Sequence, residues 1–137
     1  MYTFLMTFTQ WLIDNGIIPT MVDATDTARE NKTYIMYLPD DVHNCVCVTQ
    51  YDQTHNSLIY QEACLKYLQI IVRNTSHNEA ITLADKIHKY LINRPEPIEF
   101  IGDRWVVINC TYGPQKMDND AQGNYKYAIQ FKVTTSS

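Results

Sequence analysis

Residues 63–94, ACLKYLQIIVRNTSHNEAITLADKIHKYLINR, carry two hydrophobic periods in succession. Leu68, Ile70 and Val72 alternate with Gln69, Ile71 and Arg73, a two-residue period that predicts a strand with at least one buried face. Asn74 and Thr75 break the pattern. Ser76 and Glu79 then form a capping box, in which the Ser oxygen accepts an orphan amide and the Glu carboxylate reaches back to the cap. The helix that follows carries Ala80, Ala84, Ile87 and Leu91 as an apolar stripe, with Ile81 and Leu83 beside it and Asp85, Lys86, Lys89 and Asn93 toward solvent. Pro95 and Pro97 stop it.

A first helix is predicted near the amino terminus, capped by Thr3, striped by Phe4, Phe8 and Leu12 with Leu5 and Trp11 alongside, and ended by a left-handed Gly16. Residues 17–33 pass from apolar IIPTMV to polar DATDTARENKT, a short extended piece followed by an exposed loop. Residues 34–38 read as extended, Pro39-Asp40-Asp41 as a turn and 45–51 as a strand, after which the turn DQTHNS and residues 58–62 lead into the strand already described. Further on, 98–101 and 105–112 form a hairpin about Gly102-Asp103. Residues 113–124 form a long polar loop with little reason for burial. The chain closes on its most regular strand, 125–133, with Tyr125, Tyr127, Ile129, Phe131 and Val133 on the core face opposite Lys126, Ala128, Gln130 and Lys132. Neither an internal repeat nor a low-complexity tract occurs, and only the final TTSS reads as frayed. The expected fold is therefore α+β: one domain over residues 1–137, with two main helices packed on one side of a mixed, mostly antiparallel sheet of five or six strands.

Composition narrows the function classes. The 137 residues suffice for a core without disulfide or metal staples, and 45% hydrophobic against 19% charged leaves neutral surface for a partner to cover. The net charge of −4 and the lack of a Lys/Arg cluster argue against general nucleic-acid binding. The first basic residue is Arg29, so the apolar start lacks the positive region of a secretory signal, and Gln10, Asp14 and Asn15 interrupt it well short of a membrane span; a soluble, uncleaved chain is expected.

Candidate chemistry is sparse. Cys45 and Cys47 lie two apart on one strand and point the same way, so Cys45, Cys47, Cys64 and Cys110 are expected to be reduced structural thiols rather than a disulfide framework. The same Cys-x-Cys, even with His43, His55, Cys64 or Cys110 to complete a tetrahedron, is not the Cys-x-x-Cys knuckle of a zinc site. His43, His55, His77 and His88 stand in no nucleophile or base motif, and the dispersed glycines make no phosphate loop. No catalytic residue, metal or cofactor is expected. Arg73 is expected to pair locally with Glu79 or Asp85. Of the ten tyrosines, strand preference and core packing account for about half, and the rest are available for a subunit contact.

The strand that ends in Val-Arg and the helix with spaced Ala and Leu resemble the corresponding unit of phage tail terminator proteins, also called minor capsid or tail-completion proteins. Pro114, Asp120 and Gly123 ahead of YKYAIQFKV are similar to that family's proline-led loop, Asp-x-x-Gly turn and final strand, so the resemblance covers roughly residues 64–133. It implies a central sheet with helices on one side, and a non-enzymatic virion protein of the tail or neck, present in host cytoplasm during assembly. In that family the protein caps the tail tube as a homo-hexameric ring and joins it to the head connector, without membrane or sequence-specific nucleic-acid binding; DNA can pass through the ring lumen. Length and polarity nominate the loops at 25–33 and 113–124 as contact segments, with Asp26, Arg29, Lys32, Gln115, Lys116, Asp118 and Asp120 as interface residues. A Gly-Ser linker in place of residues 116–122 is expected to leave the fold intact. The alternatives are another neck or head-completion protein, a small hydrolase using Cys64 or Cys110 with a histidine, or a cytosolic adaptor that binds a peptide at a sheet edge.

Overall fold

The computed structural model describes residues 3–23, 28–55, 63–92, 99–101, 104–110 and 112–136. The central alternation folds as β3 (Ala63–Asn74), which lies between β2 (Cys45–His55) and β7 (Tyr125–Ser136), antiparallel to both. β1 (Lys32–Ile35) joins β2 in parallel, while the hairpin of β4 (Glu99–Ile101) and β5 (Arg104–Asn109) joins β7. These six strands run β1-β2-β3-β7-β5-β4, and a seventh, β6 (Gln115–Met117), pairs with the start of β7. The fold class is as expected: α+β, mostly antiparallel, with two helices on one face.

That face is the core. Val46 and Val48 of β2, Leu68, Ile70 and Val72 of β3, and Tyr127, Ile129, Phe131 and Val133 of β7 are buried in one cluster with both helices. Helix α1 (Thr3–Asp14) contributes Phe4, Leu5, Phe8 and Leu12. It ends in a Schellman arrangement: Gly16 takes φ +72°, its N–H donates to Ile13 O at 2.9 Å, and Ile17 N–H donates to Leu12 O at 3.0 Å. Helix α2 (His77–Ile92) buries Ala80, Ala84, Ile87 and Leu91, the stripe read from its period. Only half of its capping box forms. Ser76 Oγ accepts Glu79 N–H at 3.4 Å, but Ser76 N–H donates to Asn74 Oδ1 at 2.8 Å instead of to Glu79.

Six boundaries differ from expectation. β2 runs on to His55, through residues read as the start of a turn, and β7 runs on to Ser136, through residues read as frayed, because both pair with the long β3. Residues 32 and 33 belong to β1 rather than to an exposed loop; Thr33 is buried, and Thr20 O and Val22 N pair with it along its outer edge. β1 ends at Ile35 because Met36 turns left-handed at φ 67°. β5 stops at Asn109, short of Tyr112. The polar stretch after Gly113 contains β6 and an ordered turn, because β7 needs a partner along its first residues where β5 does not reach. The expected turn at Gly102-Asp103, the lead-in at 58–62 and the helix stop at Pro95 and Pro97 lie outside the described residues.

Candidate functional site

Because β1 and β2 are parallel, the chain must cross back between them, and the crossover at 36–44 does so over the sheet face opposite the helices. It buries Val42 against Tyr34 and Cys45, with Val22 and Leu38 packed around them. Strand register places Lys32, Cys45, Arg73, Lys126 and Met117 in one row across five strands, at the end of the sheet where the crossover lands. A side chain from the middle of that row is thereby enclosed. Arg73 is 3% exposed.

Its partners are not Glu79 or Asp85. Both of those lie on α2, on the opposite face of the sheet, whereas Arg73 shares its face with Cys45 and the crossover. Arg73 Nη2 donates to the carbonyls of Pro39 and Val42, and Nη1 stands 3.7 Å from Asp120 Oδ2. Asp120 organises the turn before β7, accepting from Gln122 N at 3.0 Å, Asn124 N at 2.9 Å and Asn124 Nδ2 at 3.0 Å, while Gly123 takes φ +80°. Asn124 is 2% exposed, so this turn is not the freely exposed polar loop its composition suggests. Asn124 Nδ2 also lies 3.0 Å from His43 Nδ1 on the crossover. Since Asp120 can only accept, it fixes the amide nitrogen toward itself and makes His43 Nδ1 an acceptor.

Two more segments join this end. The Glu30 carboxylate accepts from His43 N at 3.0 and 3.1 Å and from Asn44 N at 3.2 Å, and Asn44 Oδ1 accepts from Thr75 N at 3.0 Å. Tyr34 Oη donates to Arg29 O at 2.9 Å, and the Arg29 side chain pairs with Asp41 in solvent. The structure thus brings Arg29, Lys32, Gln115, Lys116, Asp118 and Asp120 to one end of the sheet from two separate parts of the chain. Among these, Asp120 is largely enclosed, Lys32 donates to Thr20 Oγ1 at 3.3 Å, and Lys116 donates to Asn119 Oδ1 at 3.2 Å and lies over the Tyr125 ring. Asp26 lies outside the described residues.

Burial pushes the Asp120 carboxyl up, but the bonds from Asn124 and Gln122 and the charge of Arg73 outweigh it and hold the group below its ordinary value. A depressed acid stabilises the fold fully above the ordinary carboxylate range and loses that contribution as pH falls through the depressed value. The stability gap between wild type and Asp120→Asn is accordingly expected to be constant from neutral pH to about 4 and to shrink below it, read by thermal unfolding across pH. A gap independent of pH down to full acid unfolding contradicts the assignment.

The thiols are shaped by burial. Cys45, Cys47 and Cys110 are free, and burial raises the Cys47 thiol to about 12; Cys45 is also raised, because burial outweighs the nearby Arg73 charge. Such thiols are poor nucleophiles, the reverse of the low-pKa state that cysteine chemistry uses. Among the described residues no group of three His, Cys, Asp or Glu side chains is arranged to hold a metal ion. The Cys64 and His55 side chains lie outside what is described.

The tyrosines divide by position. Tyr34 and Tyr127 are buried, Tyr127 Oη lying 2.6 Å from His77 Nε2, so His77 at the start of α2 is tied to the sheet rather than simply solvated. Tyr51 and Tyr112, 55% and 70% exposed, flank a groove of about 280 Å³ on the helix-free face with Tyr67, Asn109, Gln130 and Lys132. Sequence reading missed this grouping because it depends on a bulge: Gln50 pairs with Leu68 and Asp52 with Tyr67, leaving Tyr51 as the extra residue with its ring 6.0 Å from that of Tyr67.

No described helix is long and apolar enough to cross a membrane. No curated protein matches the chain closely enough to count as similar. A family model described as bacteriophage tail terminator protein, in contrast, matches residues 11–136, well beyond the two blocks that carry the resemblance, and the chain therefore belongs to the bacteriophage tail terminator family.

Proposed function

We propose that this phage tail structural protein caps the tail tube as a ring of six copies and presents the end of the sheet around Arg73 to the tube or the head connector. Family membership establishes a virion-associated role in the tail, alongside other phage proteins. The observation that carries the finer reading is the convergence of segments 28–31, 36–44 and 115–124 at one end, where hydrogen bonds running from the exposed Glu30 to the buried Arg73 hold polar side chains in defined positions. A small rigid domain repeated about an axis can close a ring and match the symmetry of a tube, and its mechanism is geometric rather than catalytic. The neighbouring copy, the tube protein and the connector are the partners in this reading.

Its test is in two parts. Light scattering is expected to give a particle six times the 16.0 kDa chain mass, either free or only on tubes, where particle images show a six-fold cap. Single subunits in both experiments overturn the ring. Reversing charge at the exposed Lys116 and Asp118 (Lys116→Glu with Asp118→Lys) is expected to leave melting within a few degrees of wild type and to abolish head joining. Normal infectious particles from this variant overturn the placement of the contact.

A further inference from the structure

Two independent bridges join the crossover to the turn before β7. One runs through the sheet: Pro39 O and Val42 O to the Arg73 guanidinium, and from there to Asp120. The other runs above it: His43 to Asn124, and from Asn124 back to Asp120. Together they close a circuit of Arg73, Val42, His43, Asn124 and Asp120, with Arg73 and Asn124 almost wholly buried inside it. Neither segment has regular secondary structure to hold it independently, and they are some 80 residues apart in sequence, as the His43 and Asn124 bond shows.

The circuit is also unsaturated. Arg73 Nε is buried with no hydrogen-bond partner, and the Asp120 carboxylate stands beyond hydrogen-bond distance of Nη1. If the turn withdraws, Arg73 keeps the crossover's two carbonyls but loses the Asp120 carboxylate, leaving the solvent-exposed Asp41 as a weaker counter-charge; if the crossover withdraws, the same cation loses both of its close hydrogen bonds among the described residues. Each segment is therefore stable in place chiefly while the other is.

We propose that the two bridges together, one through the Arg73 guanidinium and one through His43 and Asn124, make the crossover at 36–44 and the turn at 118–124 one cooperative unit, so that the two segments open and close together and a partner seated on either fixes both. Coupling of this kind is reciprocal: the factor by which an open turn favours opening of the crossover equals the factor by which an open crossover favours opening of the turn. It is a property of the chain alone and stands whether or not this end of the sheet meets the tube.

Amide hydrogen exchange on the full-length protein tests it. In Asn124→Ala, altered only in the turn, exchange at His43 and Asn44 on the crossover is expected to rise at least tenfold, while the central amides of β3 and α2 keep wild-type rates. In His43→Ala, an exposed side chain on the crossover, exchange at Gln122 and Asn124 is expected to rise by a similar factor. A rise confined to the mutated segment in both variants overturns the proposal, and so does an equal rise at every amide, which marks general destabilisation. Should Asn124→Ala fail to fold, the His43→Ala experiment decides alone by the same two criteria.

Discussion

Replacing Arg73 by methionine is expected to cost about 3–5 kcal/mol of stability, the usual result of removing one member of a buried charge pair. Methionine keeps the apolar length of the side chain, so the loss comes from the guanidinium: Pro39 O and Val42 O lose their donor, and Asp120 loses the cation beside it. For a chain of this size each kcal/mol moves the melting temperature by about 3–5 °C, so a drop of roughly 10–20 °C is expected in a thermal scan. Arg73→Lys is expected to fall between, since a single ammonium cannot serve two carbonyls and a carboxylate in the geometry of a planar fork. Arg29→Ala, which removes only a solvent-exposed pair with Asp41, is the control and is expected to melt as wild type. Wild-type melting of Arg73→Met would show that the guanidinium contributes nothing net.

The second large effect is expected at Phe8. Its side chain is fully buried, with ring centroids 5.8 Å from Phe4, 5.6 Å from Trp11 and 5.7 Å from Phe131 of β7. Phe8→Ala removes the ring through which α1 reaches the centre of the sheet, and a cost of about 3–5 kcal/mol follows from lost burial plus the cavity left behind. Trp11, whose ring packs at a tilt against that of Tyr90 of α2 with centroids 5.5 Å apart, reports on the same docking, so the near-ultraviolet signal of the variant is expected to weaken before global melting. A loss below about 1 kcal/mol would mean that the helix repacks without the ring.

The Arg73 circuit changes what can be engineered in this chain. From polarity alone, residues 116–122 read as a replaceable connection. Their replacement by a Gly-Ser linker removes Asp120 and the ordered turn, and with them the counter-charge of Arg73. Such a variant is expected to lose stability through the sheet as well as any contact made by the loop. Point changes at Lys116 and Asp118, which leave Asp120 and Asn124 in place, separate the two effects.

Local periodicity was enough for much of the architecture. The stripe Ala80, Ala84, Ile87 and Leu91, the alternation of β3 and β7, the hairpin of β4 with β5, and the left-handed end of α1 at Gly16 were all legible, because each depends on neighbours within a few residues. The family was legible as well, from two blocks that both lie within the matched residues 11–136. Arg73 was misread for a physical reason. From sequence its nearest acids are Glu79 and Asp85, but a strand residue projects to one face only, and the helix carrying those acids covers the other. Which of 36–44 and 118–124 would cover the Arg73 face depended on the parallel pairing of β1 with β2 and on the short reach of β5 along β7. Those are long-range pairings, selected by the burial they allow across the whole sheet, and no local pattern encodes them. The sequence by itself therefore determined the elements, the core face and the family. Only the tertiary structure decided that two distant polar segments meet over one buried arginine, because a charge can be enclosed there only when both segments arrive to satisfy it.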